Sequence, residues 1–157
     1  MPVPEFIREI REKIGNDPLW LPGVRGVVLD DENRVLLCQR ADNGRWTLIT
    51  GMLEPGEHPA PGLIREIFEE TAVVAETERI LAVGVIGPVT YPNGDVCDFL
   101  DIAFKCRYVS GDARVNDDES IAVGWFALDE LPDISAGHRE TIRLALEPGT
   151  AVAYQRD

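Results

Sequence analysis

Apolar and polar positions recur with a helical period near both ends of the chain. Residues 4–15 carry apolar side chains one helical turn apart among charged ones, at Phe6, Ile7, Ile10 and Ile14. Gly15 follows as a helix stop signal. Residues 138–146 show a similar pattern, with Ile142, Leu144 and Leu146 among charges. We therefore predict an amphipathic opening helix, a closing helix, and a frayed tail over residues 149–157.

Runs of β-branched and apolar residues, separated by turn signals, lie between these two helices. The predicted strands cover residues 23–29, 34–39, 46–50, 79–90, 96–108 and 121–128. Polar turns at residues 30–33 and 91–95 predict a hairpin from the first pair and a second, longer hairpin.

A glycine- and proline-bearing loop at residues 51–58 leads into a helix of about fifteen residues that ends near Thr71. Helices and strands in this order predict an α+β fold, with helices on the faces of a mixed sheet. No linker or repeat interrupts the sequence, so residues 1–157 are expected to form a single domain.

Composition and charge narrow the classes of partner. A chain of 157 residues, 45% hydrophobic and 27% charged, suffices for one globular domain with a buried core. Its formal net charge of -13 disfavours a nucleic-acid backbone or an anionic membrane as partner, because both require a basic surface. We predict neither partner. Surplus acid also keeps many proteins soluble, so only local clustering of acids can indicate function.

The three cysteines, Cys38, Cys97 and Cys106, are odd in number and lack metal-type spacing, which predicts buried free thiols. No run of about 18 apolar residues and no leader-like N-terminal pattern occurs, so we expect a cytoplasmic protein. The opening helix and the apolar long hairpin offer surfaces through which a homodimer could form.

A cluster of carboxylates lies on the predicted central helix. At 100° per residue, Glu66, Glu69 and Glu70 share one side of it, where they repel one another and oppose the helix dipole. The pairs Leu63/Ile67 and Ile64/Phe68 are expected to form the buried side. A hard cation such as magnesium would turn this repulsion into favourable binding. The alternative is the solvated face of an ordinary glutamate-rich helix.

Residues 51–73 resemble the signature of the Nudix hydrolase family, G x5 E x7 R E U x E E x G U, where U is apolar. The matching positions are Gly51, Glu57, Arg65, Glu66, Ile67, Glu69, Glu70 and Val73. Ala72 replaces the second glycine, which predicts either a less favourable helix cap or a helix that ends differently. The resemblance implies a Nudix-type α/β/α sandwich.

The resemblance also implies a chemistry. Members of the family hydrolyse a diphosphate linkage by attack of water on phosphorus, using Mg²⁺, for which Mn²⁺ is a possible substitute. Glu66, Glu69 and Glu70 would be metal ligands, Glu57 would join them directly or through water, and Arg65 would orient a box glutamate. The general base would be a box glutamate or Glu119, for which a solvated loop acid is the alternative. The substrate would be a small nucleotide-like molecule such as ADP-ribose or a nucleoside triphosphate.

The sequence indicates the residues that contact the substrate less clearly than it indicates the metal ligands. Arg25, Arg40 and Arg45 could meet phosphate, and Trp46 or Tyr91 could stack on a base, although arginines near strand ends are often only solvated. Two rival functions remain open. One is a catalytically silent Nudix-fold module that binds nucleotides or regulates. The other is an acidic structural or calcium-binding domain, for which the sequence lacks the usual calcium loop.

Overall fold

The structure is a computed structural model that describes residues 4–156. These residues form three helices and seven strands. In chain order they are α1 Glu5–Ile14, β1 Leu19–Leu29, β2 Val35–Arg40, β3 Trp46–Thr47, β4 Ile49–Met52, α2 Pro59–Thr71, β5 Val74–Thr90, β6 Val96–Ser110, β7 Ser120–Phe126 and α3 Ala136–Leu146. All three predicted helices are present, and the α+β class is confirmed.

The strands form one mixed sheet in the order β3-β2-β1-β6-β5, with β4 paired to β1 and β7 paired to β2. β1 runs parallel to β6 over its whole length, while the other pairings are antiparallel. The predicted first hairpin is present but short, since β1 and β2 pair antiparallel at Leu29 and Val35 across the polar turn. The predicted longer hairpin is confirmed by the antiparallel pairing of β5 with β6. β1 begins at Leu19, and most of its two edges are occupied by β6 and β4.

The single short strand predicted at residues 46–50 is two strands, β3 and β4, separated by the fully buried Leu48. β3 pairs with β2, whereas β4 pairs with β1. At Leu48 the chain therefore changes its pairing partner from β2 to β1. This change places Gly51 opposite Val24 of β1 and sets the starting point of the loop that precedes α2.

Two helices cover opposite faces of the sheet, because side chains alternate along each strand. Val24 and Val28 of β1 pack in the core that contains Leu63 and Ile67 of α2. Val27 and Leu29 point the other way and pack with Ile142 and Ala145 of α3. The arrangement is an α/β/α sandwich. A smaller cluster holds Ile7 of α1 against Leu21 and Cys97.

The predicted fraying of the C-terminal tail is wrong at Ala153, which is hydrogen-bonded to β5. Its backbone N–H donates to the carbonyl of Leu81 at 2.9 Å, and its carbonyl accepts from the N–H of Val83 at 3.0 Å. β5 is an edge strand, whose free backbone groups recruit this part of the tail instead of leaving it frayed. The three cysteines are buried and free, as predicted. Across residues 4–156, no helix is both long and apolar enough to span a membrane.

Candidate active site

Glycine makes the close approach between β4 and α2 possible. A Cβ built at Gly51 would lie 2.1 Å from Cγ of Glu66, a distance that no real side chain tolerates. The loop then turns into α2, whose first residue, Pro59, has no N–H to leave unpaired there. The Glu66 side chain therefore packs directly against the backbone of β4 at Gly51.

Two of the three carboxylates of α2 are buried, while that of Glu69 is partly exposed. Glu66 is 4% exposed and Glu70 is 6% exposed, whereas Phe68 is 50% exposed. Leu63 and Ile67 are buried as predicted, but the prediction that Phe68 belongs to the buried side is wrong. Glu66 and Glu70 occupy the side of α2 that faces the sheet, and the ring of Phe68 lies on the exposed side. Burying carboxylates costs several kcal/mol without compensation, which is about what one cavity in a core costs.

Arg65 connects three of the four carboxylates of the box. Its Nε and one Nη donate to the two oxygens of Glu57, each at 2.8 Å. Its other Nη donates to Glu66 at 3.0 Å and to Glu69 at 3.1 Å. The hydrogen bond from Arg65 holds the pKa of Glu57 below its ordinary value. One guanidinium therefore fixes the loop and the helix relative to each other.

Burial opposes ionisation of the two inner glutamates. It raises the pKa of Glu66 to about 7, although the neighbouring Arg65 acts in the opposite direction. It raises the pKa of Glu70 to about 8, and the charges of Glu66, Asp117 and Glu119 add to this effect. Glu70 accepts a hydrogen bond from the Cys38 thiol, with Sγ 3.2 Å from Oε2.

These donors fit a hard divalent cation. Carboxylate oxygens are the ligands that magnesium prefers, and a bound cation would favour the ionised form that burial opposes in Glu66 and Glu70. Within residues 4–156, no three His, Cys, Asp or Glu side chains already stand at metal-binding geometry. In this structure Arg65 forms ion pairs with Glu57, Glu66 and Glu69. The assignment of the four glutamates as ligands stays a prediction.

A loop from residue 111 to 119 is fastened to the end of α2. The backbone N–H groups of Arg114 and Asn116 donate to the carbonyls of Thr71 and Glu70 at 3.0 and 3.2 Å. The side-chain amide of Asn116 donates to the carbonyl of Phe68 at 3.1 Å. The loop thus supplies donors to the carbonyls of Glu70 and Thr71 at the helix end, while the carbonyl of Phe68 also accepts from the N–H of Ala72 at 2.9 Å. Ala72 ends the helix in the left-handed conformation, with a φ of 58°.

The fastened loop carries Glu119 to the box. The backbone carbonyl of Glu119 accepts from the N–H of Ala41 at 2.7 Å, which ties the far end of the loop to the end of β2. The charge of Glu119 contributes to raising the pKa of both Glu66 and Glu70. The structure therefore brings the distant acid of the sequence analysis close to the buried pair.

Arg40 and Tyr91 lie beside Glu119. The guanidinium of Arg40 makes two hydrogen bonds to Asp42, at 2.8 and 2.6 Å, and these chiefly raise its pKa. Burial raises the pKa of Tyr91, and the charges of Arg40, Asp42 and Glu119 also act on it. Both predicted substrate contacts are thus near the acids of the site.

Arg25 borders a cavity of about 560 Å³ on the α3 side of the sheet. It is ion-paired with Asp101 of β6. His138 lines the same cavity, with its ring 3.4 Å from the hydroxyl oxygen of Thr47. Burial, together with the charges of Arg25 and Arg40, lowers the pKa of His138 to about 4. The cavity therefore presents a neutral imidazole at pH 7.

The structure places Trp46 and Arg45 elsewhere. Trp46 packs edge-on against Phe126, with ring centroids 4.8 Å apart, in the core on the α3 side. Arg45 is exposed in the turn before β3. Their assignment to substrate stays a prediction. Sequence reasoning missed Cys38 and Asn116, although strand alternation between Leu36 and Arg40 could have placed Cys38 on the α2 side.

Comparison with known proteins adds three findings. A family model described as NUDIX domain matches residues 19–145. A MutT-like protein of Streptomyces ambofaciens is 35% identical over 116 residues, which cover 74% of this chain and 70% of that protein. An ADP-ribose pyrophosphatase of Methanocaldococcus jannaschii is 29% identical over 119 residues, or 74% and 68% of the two chains.

A solved structure also resembles the chain. The crystal structure of a MutT NUDIX hydrolase from Burkholderia pseudomallei superposes with a TM-score of 0.65 at 27% identity. The match covers 80% of this chain and 98% of that one.

Proposed function

Since this chain belongs to the NUDIX family and is a diphosphohydrolase of that type, we propose a more specific reaction for it. It hydrolyses a diphosphate linkage in a nucleoside diphosphate derivative and uses magnesium to do so. The observation that carries the proposal is the buried pair Glu66 and Glu70 on one helix, where burial opposes the ionisation that a bound cation would favour. Neither a solvated helix face nor a structural core requires such a pair.

The carboxylates divide the work between them. Glu66, Glu69 and Glu70 would hold Mg²⁺ or Mn²⁺, with Glu57 joining directly or through water. When bound, the ion would neutralise diphosphate oxygens and lower the pKa of a bound water. Arg65 keeps Glu57, Glu66 and Glu69 oriented against their mutual repulsion.

Glu119 accepts the proton of the attacking water in this proposal. Its backbone is anchored at Ala41, and its charge acts on both buried glutamates, which supports a place next to the reacting groups. A general base must stand within hydrogen-bond reach of the proton it takes, directly or through one water. A box glutamate is the alternative base.

The substrate is proposed to extend from the box toward the cavity that Arg25 borders. A volume of about 560 Å³ lies in the range of pockets that hold small-molecule ligands. Arg40 acts electrostatically on both Glu119 and His138. The diphosphate would lie near Arg40, with the remainder of the molecule in the cavity. ADP-ribose is the first candidate, because one relative is an ADP-ribose pyrophosphatase.

A substrate panel tests the proposal. The purified chain is incubated with ADP-ribose, nucleoside triphosphates and dinucleoside diphosphates in Mg²⁺, and the products are identified by mass. Cleavage between two phosphorus atoms is expected for at least one compound, with AMP and ribose phosphate as the products of ADP-ribose. Tight nucleotide binding without cleavage in either Mg²⁺ or Mn²⁺ would instead establish the silent binding module.

Other expectations stay predictions. They are the absence of nucleic-acid and membrane partners, the cytoplasmic location, and a homodimer. The panel can include a capped RNA oligonucleotide, whose turnover would contradict the first of these expectations.

A further inference from the structure

Cys38 contacts the box from outside it. It lies on β2, is 2% exposed, and belongs to the same core cluster as Leu63 and Ile67 of α2. Its thiol donates to Oε2 of Glu70 at 3.2 Å, and this bond joins residues 32 apart in sequence. Cys38 therefore has a polar contact with the box in addition to its place in the core.

The donor to Glu70 differs in charge from the donor to the other box acids. Glu57, Glu66 and Glu69 all accept from the guanidinium of Arg65, a cation that cancels part of their charge. A thiol is a weak and neutral donor, and with an ordinary pKa near 8.5 it is protonated at neutral pH. It can therefore fix the direction of a carboxylate while leaving the negative charge in place.

We propose that Cys38 is a positioning residue that holds the Glu70 carboxylate toward a divalent cation without neutralising it. This inference rests on the proposed function, because it treats Glu70 as a metal ligand. Groups that hydrogen-bond to metal ligands typically change metal affinity by about 10- to 100-fold when they are removed. Because the thiol donor is weak, the effect expected here lies near the lower end of that range.

The test compares two substitutions of Cys38 by their affinity for Mn²⁺, measured as the loss of the free-ion electron paramagnetic resonance signal. Cys38→Ser keeps a donor and is expected to bind Mn²⁺ within about threefold of the wild type. Cys38→Val fills the core without a donor and is expected to bind about tenfold more weakly. A packing role alone predicts the reverse order, because Ser buries a hydroxyl where Val buries only carbon.

Cys106 provides the matched control. It is a fully buried thiol in the same core cluster, and among residues 4–156 it makes no hydrogen bond to a box glutamate. Cys106→Val is expected to leave the Mn²⁺ affinity unchanged. Thermal melting without metal shows whether each variant folds, and Cys38→Ala replaces Cys38→Val should the latter fail to fold.

The outcomes separate this inference from the proposed function. Equal affinity in the wild type, Cys38→Ser and Cys38→Val would overturn the positioning role, and so would weaker binding by Ser than by Val. Glu70→Gln is measured alongside. If it binds Mn²⁺ like the wild type, the ligand assignment itself fails, and the inference about Cys38 fails with it.

Discussion

Glu70 is one of two glutamates in the box whose ionisation is opposed by burial. It is buried beside another carboxylate, and its pKa is raised to about 8 by burial and by neighbouring charges. Residues kept in unfavourable electrostatic surroundings inside a site are typical of catalysis and binding. The spacing of the box glutamates is visible in the sequence, but their burial is not, because amphipathic reasoning assigns charged side chains to the solvent side.

Glu70→Gln separates the two consequences of that burial. We expect turnover to fall by orders of magnitude, because a neutral amide is a poor ligand for a hard cation. In metal-free buffer we expect the melting temperature to rise slightly, because repulsion with Glu66 and Glu69 is relieved. Steady-state kinetics and calorimetry measure the two effects. Glu76→Gln, on exposed β5, serves as the control, and wild-type turnover in Glu70→Gln would refute the ligand role.

At the scale of elements, the sequence predicted the helices and the β5–β6 hairpin, but not the parallel pairing of β1 with β6. α2 runs from Pro59 to Thr71, close to the prediction, because proline and the box mark its ends. The parallel pairing of β1 with β6 joins Leu19 to Cys97, and no local pattern encodes a contact between residues so far apart in sequence. The exposure of Phe68 was missed for the same reason: the inner face of α2 is decided by what the sheet and β4 bring to it.

The end of α2 predicts the effect of restoring the missing glycine. Ala72 has a φ of 58°, a conformation that glycine adopts without the steric penalty of a Cβ. We expect Ala72→Gly to increase the free energy of unfolding by about 1 kcal/mol and to leave kcat within about twofold. Denaturant unfolding and steady-state kinetics check both. A large gain in activity would mean that the alanine had degraded the site.

Substitution of Asn116 is expected to change both stability and turnover. Its side-chain amide caps the carbonyl of Phe68 and fastens the loop that carries Glu119. Asn116→Ala is expected to cost about 1 kcal/mol of stability and also to lower kcat, because the loop loses one of its attachments to α2.

Arg114→Ala is the control for Asn116→Ala. Its backbone N–H keeps the bond to Thr71, while its exposed side chain donates within the loop to the carbonyl of Asp112. A destabilised Asn116→Ala with wild-type kcat would assign Asn116 to stability alone.

At the scale of the whole molecule, the buried acids should shape how stability depends on pH. Glu66 and Glu70 have pKa values of about 7 and about 8 in the folded protein, against an ordinary 4.5. The folded chain thus keeps protons that the unfolded chain releases, so these groups lower stability as pH rises from 4.5 to about 8. His138, whose pKa is lowered to about 4, acts in the opposite direction, but only below about pH 6.5.

We therefore expect the metal-free protein to lose stability between about pH 6.5 and pH 8, by roughly 1 kcal/mol per pH unit at most for each acid. Denaturant unfolding at a series of pH values measures the slope, and Glu70→Gln should flatten it. Saturating Mg²⁺ should reverse it, since a cation favours the ionised carboxylates. A stability that is independent of pH in this window, and equal in Glu70→Gln, would contradict the burial of these charges.

The position of a bound cation tests the central claim most directly. Crystals of the chain with Mn²⁺ and a non-hydrolysable nucleoside diphosphate derivative would locate the ion by its anomalous scattering. The account predicts a manganese peak contacted by carboxylate oxygens of Glu66, Glu69 and Glu70 and by the diphosphate. A nucleotide bound with those glutamates turned apart and no manganese peak between them would contradict it.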